Sequence, residues 1–232
     1  MKNIPVYIIL VFIFSGLAAQ EGQTDYSTPG EPYPASVSYE GLTAAEANFI
    51  GLFRDENIGN LHLYASADPM PGTAYFFKGE AIKPTFKDLL PGEIAPLTHL
   101  QGGQPHAVLS LRGDGEELYV LRLPGQRFQN QLSLYDMENG QLRKLMTLAY
   151  YQCSNSRCEQ QDSWVQDVDG DARLDIITKK KITNRKGKER VSTRVYLMKT
   201  DGTFRRTKNI NIEEKDYLFE NITAKNGSHN GL

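Results

Sequence analysis

The sequence predicts an all-β fold: a β-propeller-like array of about three four-stranded antiparallel units. Three observations carry that expectation. Apolar residues alternate with a period of two along most of the chain, turn dipeptides separate the alternating runs, and a paired-strand pattern recurs. Leu118 and Val120, Leu132 and Leu134, and Val195 and Leu197 each sit two residues apart, which puts each pair on one face of a strand. Between such runs lie Pro124-Gly125, Glu138-Asn139-Gly140 and Asp201-Gly202. Asn-Gly and Asp-Gly favour hairpins because both central residues of a type I′ turn need positive φ.

The recurring pattern divides the chain into units over about 48–100, 105–150 and 160–210. The first opens with Phe49 to Phe53 and Leu61 to Tyr64 around a polar loop. The second opens with Val108 to Leu111 and Leu118 to Leu121, and the third with Trp164-Val165 and Leu174 to Ile177. Leu61, Leu118 and Leu174 mark equivalent positions, 57 and 56 residues apart. A second strand pair follows in each unit: Ala74 to Phe77 with its partner unassigned, Gln131 to Tyr135 with Gln141 to Leu145, and Arg194 to Met198 with Thr203 to Lys208. Four antiparallel strands per unit is the plan of a propeller blade, and closure ordinarily takes at least four blades. Either residues 31–48 and 209–220 supply a fourth unit, or the units form an open β-sheet stack. The one helical signal is a single turn over Thr43 to Asn48.

The ends read differently from the 36–220 domain. Lys2, the apolar run Val6 to Phe14 and the small residues from Ser15 to Ala19 predict a signal peptide over 1–20. The run is shorter than the ~20 apolar residues that a spanning helix needs. Residues 21–35 form a Pro- and Gly-rich lead-in and 221–232 a polar tail. The expected location is secreted or periplasmic, with no membrane span left after signal removal. In such a compartment the closely spaced Cys153 and Cys158 read as a disulfide loop. Two thiolates without a nearby His make a poor zinc site.

The chemistry concentrates in Asp167-Val168-Asp169-Gly170-Asp171-Ala172-Arg173-Leu174-Asp175. Carboxylates at relative positions 1, 3, 5 and 9 can be turned to one point by a tightly wound loop, with Gly170 allowing the bend. Calcium takes 6–8 oxygens and tolerates irregular geometry, so it suits such a donor set. The backbone carbonyl of Arg173 offers a further ligand at position 7. Position 12, where an EF-hand carries a bidentate Glu, is Thr178, and the flanks are strand-like rather than helical. The loop therefore joins two strands.

These residues, followed by Arg194-Val195-Tyr196-Leu197 and Asp201-Gly202-Thr203-Phe204, resemble one FG-GAP/VCBS-type repeat over Trp164 to Arg205. The resemblance implies a propeller blade with calcium in the hairpin between its first two strands. It also implies ligand roles for Asp167, Asp169, Asp171 and Asp175 and for the Arg173 carbonyl. Ala172 and Arg173 depart from the glycine-rich continuation of that family, and a basic insertion over Lys179 to Arg190 lengthens the next connection.

A net charge of −2 excludes the strongly basic balance of a nucleic-acid binder. Arg112-Gly113-Asp114 matches an adhesion tripeptide but falls in an expected hairpin loop. Asn221-Ile222-Thr223 and Asn226-Gly227-Ser228 are glycosylation sequons in the polar tail. The basic run from Lys179 reads as a solvated hairpin, with contact to an anionic polymer as the functional alternative. His62, His99, His106 and His229 have no metal-ligand spacing, and no residue is assigned a catalytic role. The expected function is an exported calcium-binding module with a binding or structural role at or outside the cell envelope, its partner a protein or a glycan. The alternative is a calcium-stabilised extracellular enzyme acting on polysaccharide. A third expectation is a ring completed by oligomerisation.

Overall fold

The structure, a computed structural model, describes residues 41–57, 59–68, 70–113, 116–124, 130–154 and 157–222. The signal peptide, the lead-in, Asp114, Gly125, the second sequon and the end of the tail lie outside the described residues.

The chain first makes a short helix, α1 (Ala44–Ile50), because Thr43 and Glu46 close a capping box. The Glu46 amide donates to Thr43 Oγ1 at 3.2 Å and the Thr43 amide to Glu46 Oε2 at 2.7 Å. The helix runs past the single turn expected and takes Phe49 and Ile50 with it. These two residues share a buried cluster with Phe53, two residues beyond the Gly51 cap, so the first strand of the first predicted unit is not formed.

Strands follow at β1 (Arg54–Asn57), β2 (Leu61–Leu63), β3 (Glu80–Ala81), β4 (His106–Gly113), β5 (Glu116–Leu123), β6 (Gln131–Glu138), β7 (Gln141–Ser154), β8 (Arg157–Gln166), β9 (Asp175–Thr183), β10 (Glu189–Met198) and β11 (Phe204–Thr207). All belong to one open sheet, in the order β1-β4-β5-β6-β7-β8-β9-β10-β11. β1 runs parallel to β4, and β3 pairs antiparallel with the first residues of β4. The long β7 pairs with β6 through Ala149 and then, from Tyr150, with β8. β2 takes the rest of that β8 edge, Ser163 to Val165.

The sheet bends on itself so that its two halves share a core. Leu109, Leu111, Leu118, Val120, Leu132 and Leu134 from the first half meet Leu63, Val165, Leu174, Ile176 and Met198 from the second. Period-two alternation decides which residues face inward. Tyr119, Leu121 and Leu123 point the other way, under α1 and the 3₁₀ turns Pro84–Leu89 and Ala95–His99. In the second half Trp164, Ile177 and Val195 face outward, and the C-terminal segment straps over them with Ile212 and Tyr217.

The second and third predicted units are therefore present as the meanders β4–β7 and β8–β11. They are hydrogen-bonded to one another through β7 and β8 and share one core, rather than packing as separate units. The first unit, over 48–100, is not a four-stranded meander among the described residues. Its segments join the sheet at two distant places, β1 and β3 on β4 and β2 on β8, and Ala74 to Phe77 forms no strand. Residues 209–220 form the strap, with a 3₁₀ turn at Glu214–Asp216, and do not supply strands of a fourth unit. The basic segment from Lys179 continues β9 and β10 into a tight turn instead of lengthening a loop. Asn184 Oδ1 accepts from the Lys186 and Lys188 amides at 3.0 Å, and Gly187 has φ 73°. No helix among the described residues is long and apolar enough to cross a membrane.

Candidate metal centre

β8 and β9 are joined by the acidic loop, above the terminal pair Gln166–Asp175. The loop winds around Asp167. Its Oδ1 accepts from the amides of Gly170 at 2.7 Å and Asp171 at 3.1 Å, and its Oδ2 from Ala172 at 2.9 Å. That winding needs positive φ at Gly170 (84°) and at Ala172 (65°). Glycine adopts such a conformation freely and alanine does so at a cost of roughly 1–2 kcal/mol.

Asp175 opens β9 and is 1% exposed. Its Oδ1 accepts from the Met198 amide at the end of β10, at 2.9 Å, and its Oδ2 from the Val168 amide, at 3.0 Å. One carboxylate thus ties the loop to two strands. Burial pushes its carboxyl above the ordinary range. The two amide bonds pull it down, and the charges of Asp169 and Asp171 push it up again.

Oxygens of Asp167, Asp169 and Asp175 lie within 4.8 Å of one another. Two oxygens bound to one calcium at about 2.4 Å each are at most about 4.8 Å apart, so this spacing fits a shared ion. Asp169 is exposed and its side chain makes no hydrogen bond among the described residues. Asp171 stands outside the triad. Its Oδ1 accepts from the Arg173 amide at 3.0 Å and its Oδ2 from the Arg173 guanidinium at 3.5 Å. Of the predicted ligands, then, three carboxylates converge and Asp171 turns to Arg173.

Cys153 and Cys158 are disulfide-bonded and lie directly opposite each other across β7 and β8. The bond pins the start of the strand whose other end feeds the acidic loop. His62, which lacks metal-ligand spacing in the sequence, lies on β2 and has a buried carboxylate partner that no motif signals. His62 Nε2 donates to Asp162 Oδ2 at 3.1 Å, and its ring stacks on Trp164 at 4.5 Å. Asp162 is fully buried and also accepts from Gln160 Nε2 at 3.1 Å and the Glu220 amide at 2.7 Å. The available signal was a carboxylate at an outward-facing position two residues before Trp164.

A groove of about 680 Å³ runs beside this network, lined among others by Tyr64, Asp68, Tyr75, Tyr151 and Glu220. Its 66–68 wall is held from beneath by buried Asn130, whose Nδ2 donates to the carbonyls of Ser66 and Asp68 at 3.0 and 2.8 Å. Arg122 in turn donates to Asn130 Oδ1 at 3.0 Å. Set against protein-family models, curated proteins and solved structures, the chain matches none of them.

Proposed function

We propose that the chain is an exported calcium-binding all-β module with a binding or structural role at or outside the cell envelope. The carrying observation is the convergence of Asp167, Asp169 and Asp175 within 4.8 Å on a wound strand-to-strand loop. Hard carboxylate oxygens in an irregular loop suit calcium, and backbone carbonyls, Asp171 and water are the sources for the remaining ligands. The apolar leader and the disulfide support export. The meander β8–β11 with its loop is the part of the fold to which the FG-GAP/VCBS resemblance applies, as a blade-like unit built into a continuous sheet.

The ion would serve as a staple. It would offset most of the repulsion among three carboxylates and hold the loop against β9 and, through Asp175, β10. Binding at about a hundredfold over Kd stabilises by about 2.7 kcal/mol, which for a chain of this size raises Tm by roughly 5–10 °C. Thermal unfolding in calcium and in EDTA measures this. Asp169→Asn is the decisive variant, because Asp169 supports no hydrogen bond of the loop. It should melt at or slightly above the wild type in EDTA, because a repulsion on Asp175 is relieved, and gain nothing from calcium. Equal melting of the wild type in saturating calcium and in EDTA would sink the proposal.

A further inference from the structure

We propose that the open end of the inner face of β8–β10 is a binding surface for an acidic polysaccharide. The shared core stops at Ile176 and Tyr196, and the same face of the sheet continues past it. Register sets Lys180 opposite Ser192 and Thr178 opposite Arg194. With Gln161 and Tyr196 these line a cleft of about 210 Å³. Alternation divides the lysine run between the two faces. Lys179 and Lys181 go to the outer face, where Lys179 Nζ donates to the carbonyls of Glu214 and Tyr217 and Lys181 lies over Phe219. Lys180 goes to the cleft.

Charge on the cleft face is one-sided. Arg190 pairs with Ile182 and Arg206 with Tyr196, so both share the face with Lys180 and Arg194, and Arg157 lies at its β8 end. The opposing carboxylate on this face is Glu159, already held at 2.6 Å by both Lys180 and Arg157. Arg190, Arg194 and Arg206 are exposed and have no ion-pair partner among the described residues. The hydroxyls of Thr178 and Ser192 make no hydrogen bond among the described residues either. A chain of net charge −2 thus presents a local cationic surface lined with free hydroxyls.

The layout selects the occupant. Arg190 and Arg194 stand four residues apart on β10, about 13 Å at ~3.3 Å per residue, too far for one small anion to meet both. Repeated negative charge along an extended chain matches that spacing. Thr178, Ser192 and Gln161 suit sugar hydroxyls. A nucleic acid would look for stacking surfaces, yet the ring of Tyr150 on this face already lies beneath Lys180 at 5.5 Å.

The test uses the purified protein with labelled polygalacturonate, dextran sulfate and uncharged dextran, beside a DNA duplex and phosphatidylglycerol vesicles. Salt is raised from about 0.05 M to about 0.5 M to screen the exposed charges. One or both acidic polysaccharides should bind in a salt-sensitive way, and the pair reports whether carboxylate or sulfate is preferred. The double variant Arg190→Gln, Arg194→Gln should weaken that binding about tenfold at unchanged Tm. Asp169→Asn, which tests the calcium reading, should bind polysaccharide normally. The proposal is overturned if neither acidic polysaccharide binds, if dextran, DNA or vesicles bind as well, or if the double variant binds like the wild type. Loss of binding in Asp169→Asn alone would also overturn it.

Discussion

Under the proposed calcium reading, Asp175 would couple pH, metal and fold through a single side chain. Its buried carboxyl is raised, so in the metal-free protein it contributes stability below the ordinary carboxylate pKa, about 3.9. That contribution is lost as pH rises through the raised value. On the proposed reading calcium would bind the ionised form and reverse the loss. The Tm gain on adding calcium should therefore be larger at about pH 7.5 than at about pH 4, where protons compete with the ion. Paired melts in calcium and EDTA across that range check it, and a gain that is flat or falls with pH counts against the site. The carboxylate spacing was readable at this scale because these aspartates are close in sequence. That Asp171 turns to Arg173, and that Ala172 takes a positive φ, follow from the winding around Asp167, which side-chain spacing alone does not specify.

Individual elements were readable where a local rule determines them. Asn139 and Gly140 adopt φ of 53° and 75°, as the type I′ turn between β6 and β7 demands, and the Thr43 capping box starts α1. The cysteine pair was equally plain, since the two thiols lie five positions apart and end up as cross-strand partners. So short a loop limits what the bond can add, about 2 kcal/mol on the loop-entropy account. Cys153→Ser with Cys158→Ser should fold, lose no more than that in denaturant unfolding, and keep the calcium response. A collapse of the calcium response at retained fold would show that the bond positions the loop as well as the hairpin. Of the strands that depend on remote partners, β2 was read as a strand and β1 was not. β1 looks like a loop by composition, Arg54 to Asn57 being polar, and becomes a strand because β4 offers its edge.

Over the whole molecule, the fold class was readable and the arrangement was not. Alternation identifies faces and turns identify hairpins, but neither says that two meanders will join through β7 and bend over a common core. The strap illustrates the same limit. Residues 209–222 have little periodicity, yet Tyr217 packs edge-on against Trp164 at 5.3 Å and accepts from Gln166 Nε2 at 2.8 Å. Its carbonyl, with that of Glu214, satisfies Lys179. Tyr217→Ala should cost about 2 kcal/mol through the lost ring contact and hydrogen bond. Ending the chain at Lys208 should cost more, because it uncovers the Trp164, Ile177 and Val195 face and also removes the hydrogen bonds to Asp162 and Lys179. Urea unfolding of both variants measures the order. A chain ending at Lys208 that is as stable as the wild type would show the strap to be dispensable.

The pairing of β2 with β8 also sets a timetable. Leu61 to Leu63 leaves the ribosome early, yet its hydrogen-bonding neighbour is made about 100 residues later. Until then the N-terminal strand has nothing to zip onto, and closing so long a loop is slow compared with forming the local hairpins. The β4–β7 meander can form during this wait. β2 can dock only once β8 is made, beside the strand that leads directly into the acidic loop.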